Sequence, residues 1–89
     1  MKPLTRDWVR KAENDFNVAV QIMRRRKDPV LDAVCFHCQQ CVEKYLKARL
    51  VEAGISFPKS HDLFLLVNLV GAVEPQWLTF SSAAKAITN

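Results

Sequence analysis

Two groups of polar residues in this chain of 89 residues have the types and spacing to do chemistry. The first is Gln40, Glu43, Lys44 and Lys47. They stand at i, i+3, i+4 and i+7, so on a helix all four share one stripe. Two readings are open. Beside a neighbouring helix the stripe would line a polar groove whose lysines hold phosphate. Facing water it would be an ordinary charged surface, with Glu43 and Lys47 as an i,i+4 ion pair worth about 0.3–0.5 kcal/mol. The second group is His61-Asp62, just after Ser60. A helix starting there offers free N–H groups and a positive dipole end to an anion, and His61 can titrate near neutral pH. The same residues also suit a capping turn that satisfies local backbone donors.

Cys35, Cys38 and Cys41 suggest a metal site, because C-x2-C-x2-C resembles part of an iron–sulfur pattern. Helix geometry opposes it. Each three-residue step turns the side chain by about −60° and rises about 4.5 Å, so the outer thiols lie roughly 9 Å apart along the axis. One metal cannot collect all three unless the helix unwinds. The cysteines are expected to pack as small buried hydrophobes, and neither a metal nor a cofactor is expected. His37 does not complete a tetrahedral set with them and is expected at a surface or interface. Arg24, Arg25, Arg26 and Lys27 could touch a phosphate backbone, but no aromatic is interleaved, and a solvated helix end explains the run equally.

Helices must position these groups. The first is expected from about Thr5 to Lys27, with Thr5 as N-cap and Asp7 in the first turn. Trp8, Val9, Ala12, Phe16, Ala19, Val20 and Met23 form its apolar stripe. Asp28-Pro29 breaks it. The second should run from Pro29 or Val30 to about Ala53, with Val34, Cys38, Cys41, Val42, Tyr45, Leu46 and Ala48 as its apolar face. Gly54 is its expected C-cap, and Phe57-Pro58 prevents resumption. Ser60 can cap a third helix carrying Leu63, Leu66, Val67, Leu69 and Val70, ending near Gly71. A fourth is predicted from about Pro75 towards Asn89, packed by Trp77, Leu78 and Phe80. The expected fold is all-α: one domain over residues 1–89, an antiparallel bundle of about four helices, the last apparently truncated. No period-two pattern or Asn-Gly signal supports strands.

Composition narrows the setting. The chain is 49% hydrophobic, so it can fold, and the apolar surplus suits an oligomer interface. The net charge of +4 suits an acidic partner. No signal peptide is visible, and no apolar run approaches the roughly 18–20 residues of a membrane span. Three cysteines cannot all pair within one chain. A cytoplasmic protein without membrane contact is expected.

The joint spacing of these residues resembles the HEPN family. Trp8, Ala12, Asp15 and Phe16 look like the start of that family's first helix. Phe36, Gln40, Glu43, Lys44, Leu46, Lys47 and Ala48 are similar to its F-x-x-x-Q-x-x-E-K-x-L-K-A signature, and Gly54, Pro58, His61, Asp62 and Leu63 to its G-x-x-x-P-x-x-H-D-L turn. The resemblance spans Trp8 to Leu66. Cys41 stands where the family usually has a small residue such as alanine. The resemblance implies a helical module that binds nucleotide or RNA phosphates, dimerises with a second copy, and pairs with a minimal nucleotidyltransferase in a two-gene, toxin–antitoxin-like system. It implies Lys44, Lys47 and His61 for the anion, Glu43 to orient the lysines, and Gln40 for a base or ribose, with Asp62 beside them. The ribonuclease branch of the family carries Arg-x4-6-His, a cation for phosphate and an imidazole for the 2′-hydroxyl proton. No arginine stands at that distance before His37 or His61, so no catalytic residue is expected. A toxin-type ribonuclease with an unusual site and a ligand-free dimerisation domain are the alternatives. The chain ends inside the expected fourth helix, as a fragment, a truncated product or a compact variant would.

Overall fold

The computed structural model describes residues 1–24 and 31–87. Most of the Arg24–Lys27 run, the Asp28-Pro29 break and the end of the fourth helix lie outside the described residues. Among the described residues four α-helices follow in order: α1 (Pro3–Met23), α2 (Leu31–Ala53), α3 (Leu63–Gly71) and α4 (Ser81–Ile87), with a 3-10 turn over Pro75–Phe80 before the last. Among the described residues there is no strand, and no helix is long and apolar enough to cross a membrane.

Helices α1 and α2 pair antiparallel, as their end-to-end contacts require. Near the start of α1, Lys2 donates its backbone N–H to Glu52 (3.0 Å) and its Nζ to the Val51 carbonyl (3.0 Å) at the end of α2. Further along, Asp15 meets His37. Ala12 and Ala19 are buried in this seam, and their small side chains let the two helices approach closely. Thr5 is not the N-cap. Lys2 takes that position with Pro3 at N1, where proline's missing N–H costs nothing. Thr5 lies inside the helix, buried, and its hydroxyl donates to Glu52 at 2.9 Å. Asp7 correspondingly falls beyond the first turn and pairs with Arg10. Phe16 and Met23, expected in the core, are exposed and line an open cleft with Val34 and Cys38.

The end of α2 follows expectation. Gly54 adopts φ +75°, the left-handed conformation that glycine alone enters without steric cost. The N–H of Ile55 reaches the Leu50 carbonyl (2.9 Å) and that of Gly54 the Val51 carbonyl (3.0 Å), which is the Schellman closure. Helix α3 starts later than Ser60 suggests. Asp62 is its N-cap, with its carboxylate accepting from the Leu65 N–H at 3.1 Å. Ser60 instead accepts from the Asp62 N–H at 3.0 Å and shapes the turn before it.

The core sits between α2, α3 and α4: Leu46, Leu50, Leu63, Leu66, Val67, Val70 and Ala84, with Ile55, Phe57, Leu69 and Trp77 against it. Gly71 is needed here for room, since a Cβ would sit 2.7 Å from Leu78 Cγ. The expected fourth helix is split in two, and Leu78 and Phe80 remain largely exposed.

Burial along α2 runs against its composition. Val42 and Tyr45, assigned to the apolar face, are each 45% exposed, whereas Glu43 is 1% and Lys47 6% exposed. The helix is covered on two sides, by α1 and by the segment entering α3. What decides burial is whether a position faces those neighbours, and its polar residues there carry partners.

Candidate functional site

Glu43 anchors the site. It lies beneath the turn that precedes α3, and both carboxylate oxygens face His61 Nδ1, at 2.9 and 3.0 Å. One of them also accepts from Lys47 Nζ at 3.2 Å. A buried carboxylate survives only with partners of this kind. No buried side-chain polar atom among the described residues lacks a partner.

The Ser60 and Asp62 hydrogen bonds fix the turn, and the turn presents His61. Its side chain is 78% exposed although its Nδ1 is tethered. An ionised carboxylate only accepts, so Nδ1 carries the proton and the neutral ring keeps Nε2 free for an outside donor. Protonated, the ring becomes a cation whose countercharge is already in place.

The run of contacts continues to α1. Lys47 Nζ stands 5.2 Å from the centroid of the Trp8 ring, and Lys11 Nζ, one turn further along α1, stands 4.9 Å from it. Phe57 meets Trp8 edge-on at 6.4 Å. Lys11, Trp8, Lys47, Glu43 and His61 thus form one connected group, with Lys11 and His61 exposed at its ends.

Lys44 belongs to a second cluster. It and His37 both hold Asp15 of α1, His37 through Nδ1 at 3.0 Å. Burial alone would raise the Asp15 pKa, but the hydrogen bonds from Lys44 and His37 outweigh it and hold the carboxyl below its ordinary value of 3.8. His37, expected at a surface or interface, is partly buried and ties α1 to α2.

The stripe of α2 is therefore divided. Glu43 and Lys47 meet His61, Lys44 meets Asp15, and Gln40 is half-buried with no side-chain partner among the described residues. Asp62 spends its carboxylate on the cap, so its charge occupies the helix terminus where an anion would otherwise sit. Lys11 is absent from the motif reading, and Trp8 and Asp15 entered it only as the start of the first helix, without a role at the site. Asp15 carried a signal: an acid in register with buried Ala12 and Ala19 must find a cation on the facing helix.

The cysteines diverge. Cys41 is buried, and desolvation pushes its thiol up. Cys35 and Cys38 are exposed, contrary to the packing expectation; Cys38 borders the open cleft between α1 and α2. Among the described residues no group of three or more His, Cys, Asp or Glu could hold a metal ion.

Compared with known proteins, residues 5–89 match the family model described as HEPN domain. No match was found among curated proteins or among solved structures.

Proposed function

The chain belongs to the HEPN family, and on that premise we propose that it binds nucleotide or RNA phosphates at the surface between His61 and Lys11. One observation carries the reading: an exposed imidazole is held through Nδ1 by a buried carboxylate, which fixes the ring and leaves its outward nitrogen for a ligand.

The charges support an anion. Glu43 offsets Lys47, which leaves Lys11 as the exposed net cation beyond Trp8, with the His61 ring exposed at the other end of the group. Lys44 and Asp62 act as scaffold, one on Asp15 and the other on the cap. Gln40 is the spare hydrogen-bonding group for a ribose or base. A homodimer and a minimal nucleotidyltransferase partner from a two-gene, toxin–antitoxin-like system belong to the same reading. Calorimetric titration with ATP and with a short single-stranded RNA tests it. Wild type should bind saturably and the Lys11→Ala/His61→Ala variant should not, with affinity falling steeply as salt rises. No binding by either protein would leave a docking or dimerisation domain as the better account.

The same histidine favours a second reading. A free Nε2 backed by a carboxylate is the arrangement of a general base. On RNA it would take the 2′-hydroxyl proton as that oxygen attacks phosphorus and the 5′-oxygen leaves, protonated by water. His61→Gln would then abolish cleavage while RNA still binds.

A further inference from the structure

We propose that Cys35 and Cys38 form a two-thiolate site for a soft monovalent cation of the Cu(I) class. Both thiols are exposed, stand one turn apart on α2, and line the same cavity of about 380 Å³ with Gln39, Val42 and Leu63. Three ligand chemistries compete for such a pair, and helix geometry separates them.

A disulfide is the first. Residues at i and i+3 on a helix hold their Cβ atoms about 5–6 Å apart, whereas a disulfide needs roughly 3.5–4.5 Å. Closing it would distort α2 beside His37, which is held on Asp15. A tetrahedral zinc site is the second. It needs four ligands, and no cluster of even three exists among the described residues. His37 lies between the two cysteines in sequence, but its Nδ1 is committed to Asp15. Cys41 is buried and does not line the cavity that Cys35 and Cys38 share.

A closed-shell monovalent ion is the third, and two thiolates satisfy it. Two metal–sulfur bonds of about 2.3 Å set the sulfurs roughly 4–4.6 Å apart, which suits Cβ atoms one helical turn apart. Soft thiolates select such an ion over harder ones. Val42 and Leu63 give the cavity an apolar wall that offers an ion no oxygen ligand of its own. On binding, the two S–H protons pass to solvent, and two thiolates plus one monovalent cation leave a single negative charge.

The test is an anaerobic titration of the full chain with Cu(I) against a chromophoric chelator, with millimolar glutathione present. One Cu(I) per chain should be retained. Cys35→Ser and Cys38→Ser should each weaken it by at least about 100-fold at unchanged helicity, since both thiols ligate. Cys41→Ala should hold it as wild type does. Retention by either serine variant, loss confined to Cys41→Ala, or affinity no greater than that of glutathione would overturn the site. So would thiols at Cys35 and Cys38 that resist alkylation in the native protein and react only after denaturation, because that surface would then be covered.

Discussion

At the scale of single residues, the buried charges make the sharpest predictions. Glu43→Ala leaves Lys47 buried without a countercharge, and such a change costs about 3–5 kcal/mol. Urea denaturation should show that loss. Replacing both residues by methionine should recover much of it, because an apolar pair of similar volume avoids the desolvation cost. A double variant as unstable as Glu43→Ala would mean the pair itself is not the source. Asp15 governs the acid limb. Its folded pKa lies below 3.8, so in acid the unfolded chain takes up the proton first. Its contribution is complete well above pH 3.8, falls as pH drops through that value, and is gone below its folded pKa. Asp15→Asn should therefore flatten the acid limb of stability against pH and lower the neutral plateau; an unchanged limb would remove Asp15 as its source. Glu43 and Lys47 could be read from spacing as a pair on one face. Their burial could not, because it depends on His61 and Trp8, which reach them from other segments.

At the scale of elements, the two long helices and the Gly54 closure were legible because helical period and glycine's left-handed conformation are local signals. The starts of α1 and α3 were less so. Thr5 and Ser60 are both good caps, yet Thr5 is taken by a tertiary partner, Glu52, and Ser60 by a local one, the Asp62 N–H in the turn before α3. The split fourth element was hidden for a related reason: its path is set by Leu78 against Gly71 and Trp77 on the core, not by helical period. The cap on α3 joins structure to site. Asp62→Ala should cost about 1 kcal/mol, measurable by thermal melting. Because the same turn holds His61 over Glu43, it should also weaken nucleotide binding beyond what folded population explains. Asp62→Asn, which keeps the acceptor oxygen, should restore both. Loss of stability with binding intact would separate the cap from the site.

For the whole molecule, the balance between a small core and a large apolar surface points outward. A chain of 89 residues buries only a modest share of its surface. Seven residues form the buried cluster, while Leu78, Phe80, Val42 and Tyr45 are left largely exposed. Exposed side chains this large suit an interface, and the proposed homodimer would cover Leu78 and Phe80 in the 3-10 turn before α4. Association then becomes part of folding stability, and the midpoint must depend on protein concentration. A tenfold rise should stabilise each protomer by about 0.7 kcal/mol, which for a chain of this size raises Tm by roughly 3–5 °C. Phe80→Glu places a charge where the second copy would sit, so it should melt at a concentration-independent temperature and sediment as a monomer. A wild-type Tm unchanged across a hundredfold range of concentration would rule the dimer out. Phe80→Glu also reports on α2, because Phe80 and Val42 line one cavity, and Val42 lines the cysteine cavity as well. If the dimer extends over Val42, the same substitution should speed alkylation of Cys35 and Cys38. If it stops at Phe80, their reactivity should match wild type.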